Sequence, residues 1–197
     1  MALKLTLDVD SELMSKVGQG DKSCFDTLLQ RHRTLVVNHL YRLVRNRSIA
    51  EELAQDVFLR VYRSRTTYQP QAKFTTWLFR ITTNIALNWR RDTRREAAHM
   101  RLDEDNPSAR KIELPDPALR ADERLLLNHR TREIRAAIET LSPKQQAAVF
   151  MHKYQGMDYA EIAQALDCSI PALKSLLFRA YQTLRQRLAH FASERVA

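Results

Sequence analysis

Apolar residues recur three and four places apart along most of the 197-residue chain, and no segment alternates apolar with polar for long. That spacing predicts helices rather than strands, so the fold class is all-α. A short helix is expected over Ser11–Val17, ending near Gly18 and Gly20. Asp21 can cap a longer one, with Phe25, Leu28, Leu29, Leu35, Val36, Leu40, Leu43 and Val44 at helical spacing. Asn46-Arg47-Ser48 breaks it, and Ser48 with Glu51 reads as a capping box for a helix over Ile49–Arg63. Leu53, Val57 and Val61 face inward there, and Glu51, Glu52, Gln55, Asp56, Arg60 and Arg63 face outward. A loop over Ser64–Ala72 leads to the most informative stretch, Lys73–Arg95.

On that helix Leu78, Ile81, Ile85 and Trp89 form an apolar stripe, while Trp77, Asn84, Asn88, Arg91 and Arg95 line up beside it. The second row offers an aromatic ring, amides and guanidinium groups. Rings stack on unpaired bases, amides read base edges and Arg binds phosphate. Such a face suits single-stranded nucleic acid. From the residues alone, a half-buried Trp on an ordinary amphipathic helix with a solvated basic face fits as well, and such helices also suit membranes or partner helices.

The pattern lapses over residues 97–124, which have no aromatic residue and carry three prolines, at 107, 115 and 117. This segment reads as a flexible linker between two small helical domains, residues 8–96 and 125–190. Beyond it, Leu126, Ile134, Ala137, Ile138 and Leu141 mark one helix, and Ser142-Pro143-Lys144-Gln145 starts the next. Asp158 with Glu161 can cap a short helix, Tyr159–Leu166; Asp167-Cys168-Ser169 is a tight turn; and Ser169 can cap a longer helix with Pro171 in its first turn. Ile162, Ala163, Leu166, Ile170, Leu173 and Leu177 pack the two together. This is a helix-turn-helix signature, whose second helix suits a major groove. Its outward side carries Ala172, Lys174, Ser175, Phe178, Arg179 and Gln182. The plain alternative is an antiparallel helical pair with a polar outer face.

Charge sharpens the choice. The formal net charge is +9, spread as +7 over residues 1–96, −2 over 97–124 and +4 over 125–197. Two basic blocks on either side of an acidic segment favour an anionic partner for each. Cys24 and Cys168 are too few and too isolated for a disulfide framework or zinc site, so buried thiols in a reducing cytoplasm are expected. The first fifteen residues have no long apolar core, so no signal peptide is expected, and no run is long enough for a membrane span. No metal site, cofactor or catalytic constellation is expected, since the acidic residues do not converge and the Cys and His residues lack ligand spacing.

The stretches CFDTLLQRHRTLV, IAEELAQDVFLRVYR, FTTWLFRITTNIALNWRR, LSPKQQAAVFMHKYQGMDYAEIAQALDCS and LKSLLFRAYQTLR, in this order, resemble the extracytoplasmic-function (ECF) sigma factors. These are small bacterial transcription initiation factors, and the likeness runs from about Asp10 to Leu188. It implies docking on the clamp helices of core RNA polymerase through Glu52, Gln55, Asp56 and Arg60. It implies that Lys73 and Phe74 belong to a promoter-melting segment, that Trp77, matching a family Trp that is largely structural, is half core and half −10 site, and that Asn84 lies near a pocket for a flipped −10 base. Asn88, Arg91 and Arg95 become phosphate or base contacts, and Lys174, Ser175, Phe178 and Arg179 the −35 reading positions. The chain departs from the family where Pro171-Ala172 replaces a frequent Gly-Thr, and where Leu176 replaces a basic or polar residue. An anti-sigma factor is a further implied partner, and the linker matches a segment that threads toward the polymerase active centre.

Two rivals stand beside this reading. A stand-alone helix-turn-helix regulator explains the charge and the second domain, but has no use for a base-stacking face on Lys73–Arg95. A nucleic-acid enzyme needs a nucleophile or a carboxylate cluster, and neither is evident.

Overall fold

A computed structural model describes residues 8–100 and 121–193. The described residues form helices α1 (Val9–Gly18), α2 (Lys22–Val44), α3 (Arg47–Arg63), α4 (Phe74–Met100), α5 (Ala121–Glu139), α6 (Pro143–Tyr154), α7 (Tyr159–Ala165), α8 (Ile170–Arg187) and α9 (His190–Ser193), with a 3₁₀ turn at Ser64–Thr66. No strand occurs among them, as the spacing predicts. None of their helices is long and apolar enough to cross a membrane.

In the first unit α2 lies against α1, α3 and α4. Its fully buried Leu28, Val36 and Leu40 meet Met14 and Val17 of α1, Val57 and Val61 of α3, and Leu78 of α4 in one core. Burying such side chains stabilises by about 1.5–3 kcal/mol each. The start of α4 is fixed from far away. The Asp8 carboxylate accepts from the Ser11 N–H at 2.6 Å, capping α1, and from the Phe74 N–H at 2.9 Å, capping α4. A helix N-terminus carries partial positive charge, so one anion serves two of them. Asp10 binds the next layer, accepting from Arg31 at 2.7 Å and pairing with the buried His32 at 2.8 Å. Gly18 ends α1 where a Cβ would stand 2.6 Å from the carbonyl oxygen of Arg65, so only glycine fits without displacing the 3₁₀ turn.

α3 starts two residues earlier than its sequence suggests. Asn46 is the cap, its side chain accepting from the Ile49 N–H at 3.2 Å. Glu51 does not reach back to a Ser48 cap; it pairs with Arg47 at 2.7 Å.

The second unit is α5 to α9. Both expected capping boxes are formed, Ser142 with Gln145 and Asp158 with Glu161. Ser169 caps α8 through the Ala172 N–H at 3.3 Å. The turn between α7 and α8 places Asp167 at φ 50°, a left-handed conformation that Asp tolerates better than most residues. Phe150, Met151, Ile162, Leu173, Leu177 and Ala180 are buried together. α4 runs on to Met100 and α5 begins at Ala121, both inside the span 97–124 expected for the linker. The rest of it, 101–120, lies outside the described residues.

The two units touch. α7 packs against the first half of α4, and α6 against α2 and α4. The buried apolar residues of both units belong to one continuous cluster, and polar contacts add to it: Arg90 Nη1 donates to Gln146 Oε1 at 2.8 Å, and the Arg42 guanidinium lies 4.1 Å from the Tyr154 ring centre.

Candidate nucleic-acid interface

The α4 face is built by burial on one side. Leu78, Phe79, Ile85 and Ala86 sink into the core, and Thr82 and Thr83 are buried beside them. The Thr82 hydroxyl is turned inward, donating to the Leu78 carbonyl at 2.8 Å. What remains outside is the expected row: Asn84, Asn88 and Arg91 are exposed. Arg91 is tethered to its neighbour Asp92 at 3.3 Å, a surface contact that a phosphate can displace.

Beyond the expected residues, Arg90, Arg91, Arg94 and Arg95 line a groove of about 330 Å³ with Leu87 and Pro143. Four guanidinium groups with no carboxylate in the lining suit a phosphate backbone. Arg90 and Arg94 escaped the sequence reading, although the doublets in NWRRDTRR were visible. Burial, and after it the neighbouring Arg94, pushes the Arg90 guanidinium below its ordinary range.

The loop before α4 is arranged differently from the expectation. Phe74 has no exposed surface, so in this conformation its ring supports the site rather than touching a base. It is surrounded by His32, Tyr68 and Trp77, at centroid distances of 5.3, 6.3 and 5.7 Å. Trp77 is half-buried and meets Tyr68 edge-on at 4.8 Å. Lys73 is exposed and pairs across to Glu161 of α7 at 2.7 Å.

Two further faces are open. On α8, Lys174, Ser175, Phe178 and Arg179 are all exposed, with Phe178 at 68%. Arg179 is steadied by donating to the Ser175 carbonyl at 3.3 Å, which draws it back along the helix. On α3, Glu52, Gln55, Asp56 and Arg60 are exposed together. Leu59 stands among them 51% exposed, on the side of the helix away from the inward-facing Leu53, Val57 and Val61.

A helical unit with an amide-and-guanidinium face, followed by a helix-turn-helix unit, defines a two-module DNA-binding protein. Comparison with known proteins makes this specific. The model of sigma-70 region 2 matches residues 28–96, and that of sigma-70 region 4 matches residues 131–184. The RNA polymerase sigma factor CarQ of Myxococcus xanthus is 32% identical over 182 residues, covering 92% of this chain and 98% of its own. The ECF RNA polymerase sigma factor SigE of Mycolicibacterium smegmatis is 35% identical over 179 residues, covering 89% of this chain and 66% of its own. The chain belongs to the sigma-70 family of RNA polymerase sigma factors, in its ECF group. Sigma factors direct transcription initiation and are regulatory proteins rather than classical enzymes. Among solved structures, CnrH in complex with the cytosolic domain of CnrY shares the fold at a TM-score of 0.67 and 20% identity, covering 93% of this chain and 99% of that one. The sigma factor RpoE of Bartonella quintana, in complex with the anti-sigma factor NepR, does so at 0.65 and 21%, covering 84% and 96%.

Proposed function

We propose that this sigma factor divides its work among three exposed faces. Residues 8–96 form the domain that binds core polymerase and handles the −10 element, 97–124 the linker, and 125–190 the domain that reads the −35 element. Core polymerase docks on α3 through Glu52, Gln55, Asp56 and Arg60. The α4 face receives the melted −10 strand: Asn84 takes an extruded base, and Asn88 and Arg91 hold the strand beside it, with Lys73 at the upstream end of the helix. Extruding a base costs a few kcal/mol, and a fitted pocket offsets it. Melting draws only on binding free energy, with no catalytic step. On α8, Lys174, Ser175, Phe178 and Arg179 enter the major groove. The protein works in the cytoplasm with the polymerase, and an anti-sigma factor holds it in reserve.

The observation that carries this reading is the exposed row of Asn84, Asn88 and Arg91 above the buried Ile85 and Ala86. A duplex reader has no need of it. In vitro transcription tests the whole. Purified protein with bacterial core polymerase and fragments of the host genome should yield discrete starts that share −35 and −10 elements. Tight duplex binding without new starts and without polymerase association would transfer the protein to the stand-alone regulators.

A further inference from the structure

Away from the three faces, α2, α5 and α6 line a groove of about 350 Å³, inside the range of about 300–1,000 Å³ usual for small-molecule sites. None of the residues given to polymerase, the −10 strand or the −35 element belongs to it. Three guanidinium groups do, those of Arg42 and Arg45 at the end of α2 and of Arg135 on α5. No carboxylate is among the described lining residues. Glu139 is close enough to act on Arg45, so three cations stand against one carboxylate.

The rest of the lining differs from what a bare phosphate backbone needs. The groove on α4 has four arginines and no aromatic ring. Here Tyr154 is 56% exposed, with the Arg42 guanidinium 4.1 Å from its ring centre, and Ile134 and the buried Ile138 supply apolar wall. A cation over an aromatic ring steadies it, and the exposed part of such a ring takes a flat group as aromatic side chains take bases.

Arg45 holds its place in an unusual backbone conformation. It ends α2 at φ 60°, the left-handed region that glycine adopts freely, with its N–H donating to the Tyr41 carbonyl at 2.9 Å. Partial burial pushes its guanidinium below the ordinary range; Glu139 opposes the shift and Arg135 adds to it. A polyanion seated against Arg45 and Arg135 relieves their mutual repulsion.

We propose that this groove binds a small phosphorylated ligand with a flat aromatic part, the chemical class of a nucleoside diphosphate. Arg45 and Arg135 take the phosphates, and the ring lies against Tyr154 beside Arg42. The site is independent of the reading of α4 as the strand-binding face.

Fluorescent analogues of ADP and GDP test this on the full chain by anisotropy, with unlabelled ADP, GDP, inorganic pyrophosphate and a duplex oligonucleotide as competitors. At least one analogue should bind saturably. Its unlabelled parent should displace it at a concentration about fivefold or more below that of pyrophosphate, the advantage that stacking one base confers. Arg45→Gly suits the left-handed backbone, so it should melt no lower than wild type while binding the analogue about tenfold or more weakly. Tyr154→Leu should weaken the nucleotide and leave pyrophosphate unchanged. Arg33→Gln, which removes an exposed charge of α2 outside the groove, should bind as wild type does. No saturable binding by either analogue, wild-type affinity in Arg45→Gly, equal competition by pyrophosphate, or the same loss in Arg33→Gln as in Arg45→Gly overturns the inference. Displacement by the duplex at a lower concentration than by ADP or GDP gives the groove to a nucleic-acid backbone and overturns it as well.

Discussion

The imidazole Nε2 of His39 lies 3.1 Å from the hydroxyl of Thr83, in the centre of the first unit, so a buried polar pair joins α2 to α4 at the residue before Asn84. Burial, with the charge of Arg42 nearby, lowers the His39 pKa to about 3. The folded protein therefore keeps this imidazole neutral while the unfolded chain protonates it near 6.5. The contribution of His39 is intact above pH 6.5 and is lost as pH falls toward 3, at up to about 1.4 kcal/mol per pH unit. Thermal unfolding followed from pH 7 to pH 4 should show this loss, and His39→Gln should flatten it. An unchanged slope in the variant would assign the acid sensitivity to other groups.

Gln146 is the polar hinge between the units. It is buried, donates to the Leu141 carbonyl at 2.9 Å and accepts from Arg90. Gln146→Leu should destabilise the protein by about 1–3 kcal/mol, because the Leu141 carbonyl loses its donor out of reach of water. Arg90→Gln leaves that bond in place and should cost under about 1 kcal/mol. Chemical denaturation of both variants compares them directly, and equal losses would show that the contact between the units, rather than the Leu141 bond, carries the effect.

Asp56→Arg and Asn84→Ala should fail at different steps. Asp56→Arg should weaken association with core polymerase by about tenfold or more, about 1.4 kcal/mol. Asn84→Ala should leave that association unchanged and lower open-complex formation by about 1–3 kcal/mol, the range of a lost base contact. Binding titrations and permanganate footprinting of the melted region separate the two. Normal melting by Asn84→Ala would remove Asn84 from the site.

On α8, Arg179→Ala should weaken binding to the −35 element by about 1–3 kcal/mol and relax discrimination at one base pair, as loss of a base contact does. Competition with a set of single-base variants of the element reads this out. A uniform loss across all of them would make Arg179 a phosphate contact.

The helices up to α8 and two of the three expected capping boxes were legible in the sequence because their signals are local. Ser142 and Gln145, or Asp158 and Glu161, lie three residues apart and satisfy each other whatever surrounds them. The open faces of α3, α4 and α8 were legible for a related reason, since periodicity tells buried from exposed. The start of α3 was not, because Asn46 and Ser48 are both good caps and the chain uses the first. Nor was the burial of Phe74, which depends on Tyr68 folding back from the preceding loop and on His32 of α2. Lys73–Glu161 and Arg90–Gln146 join residues far apart in the chain, and nothing in a one-dimensional pattern brings them together.

The carboxylate of Asp8, which caps α1 and α4 at once, sets a limit on trimming the chain. Its bond to the Phe74 N–H spans 66 positions. A protein shortened to begin after residue 8 would keep every residue of α2, α3 and α4, yet lose the anchor that holds the first turn of α4 beside Lys73. The damage from such a cut would emerge far from the cut, as a frayed start to the helix proposed to hold the promoter strand, and an assay of polymerase binding through α3 alone would pass the shortened protein as sound.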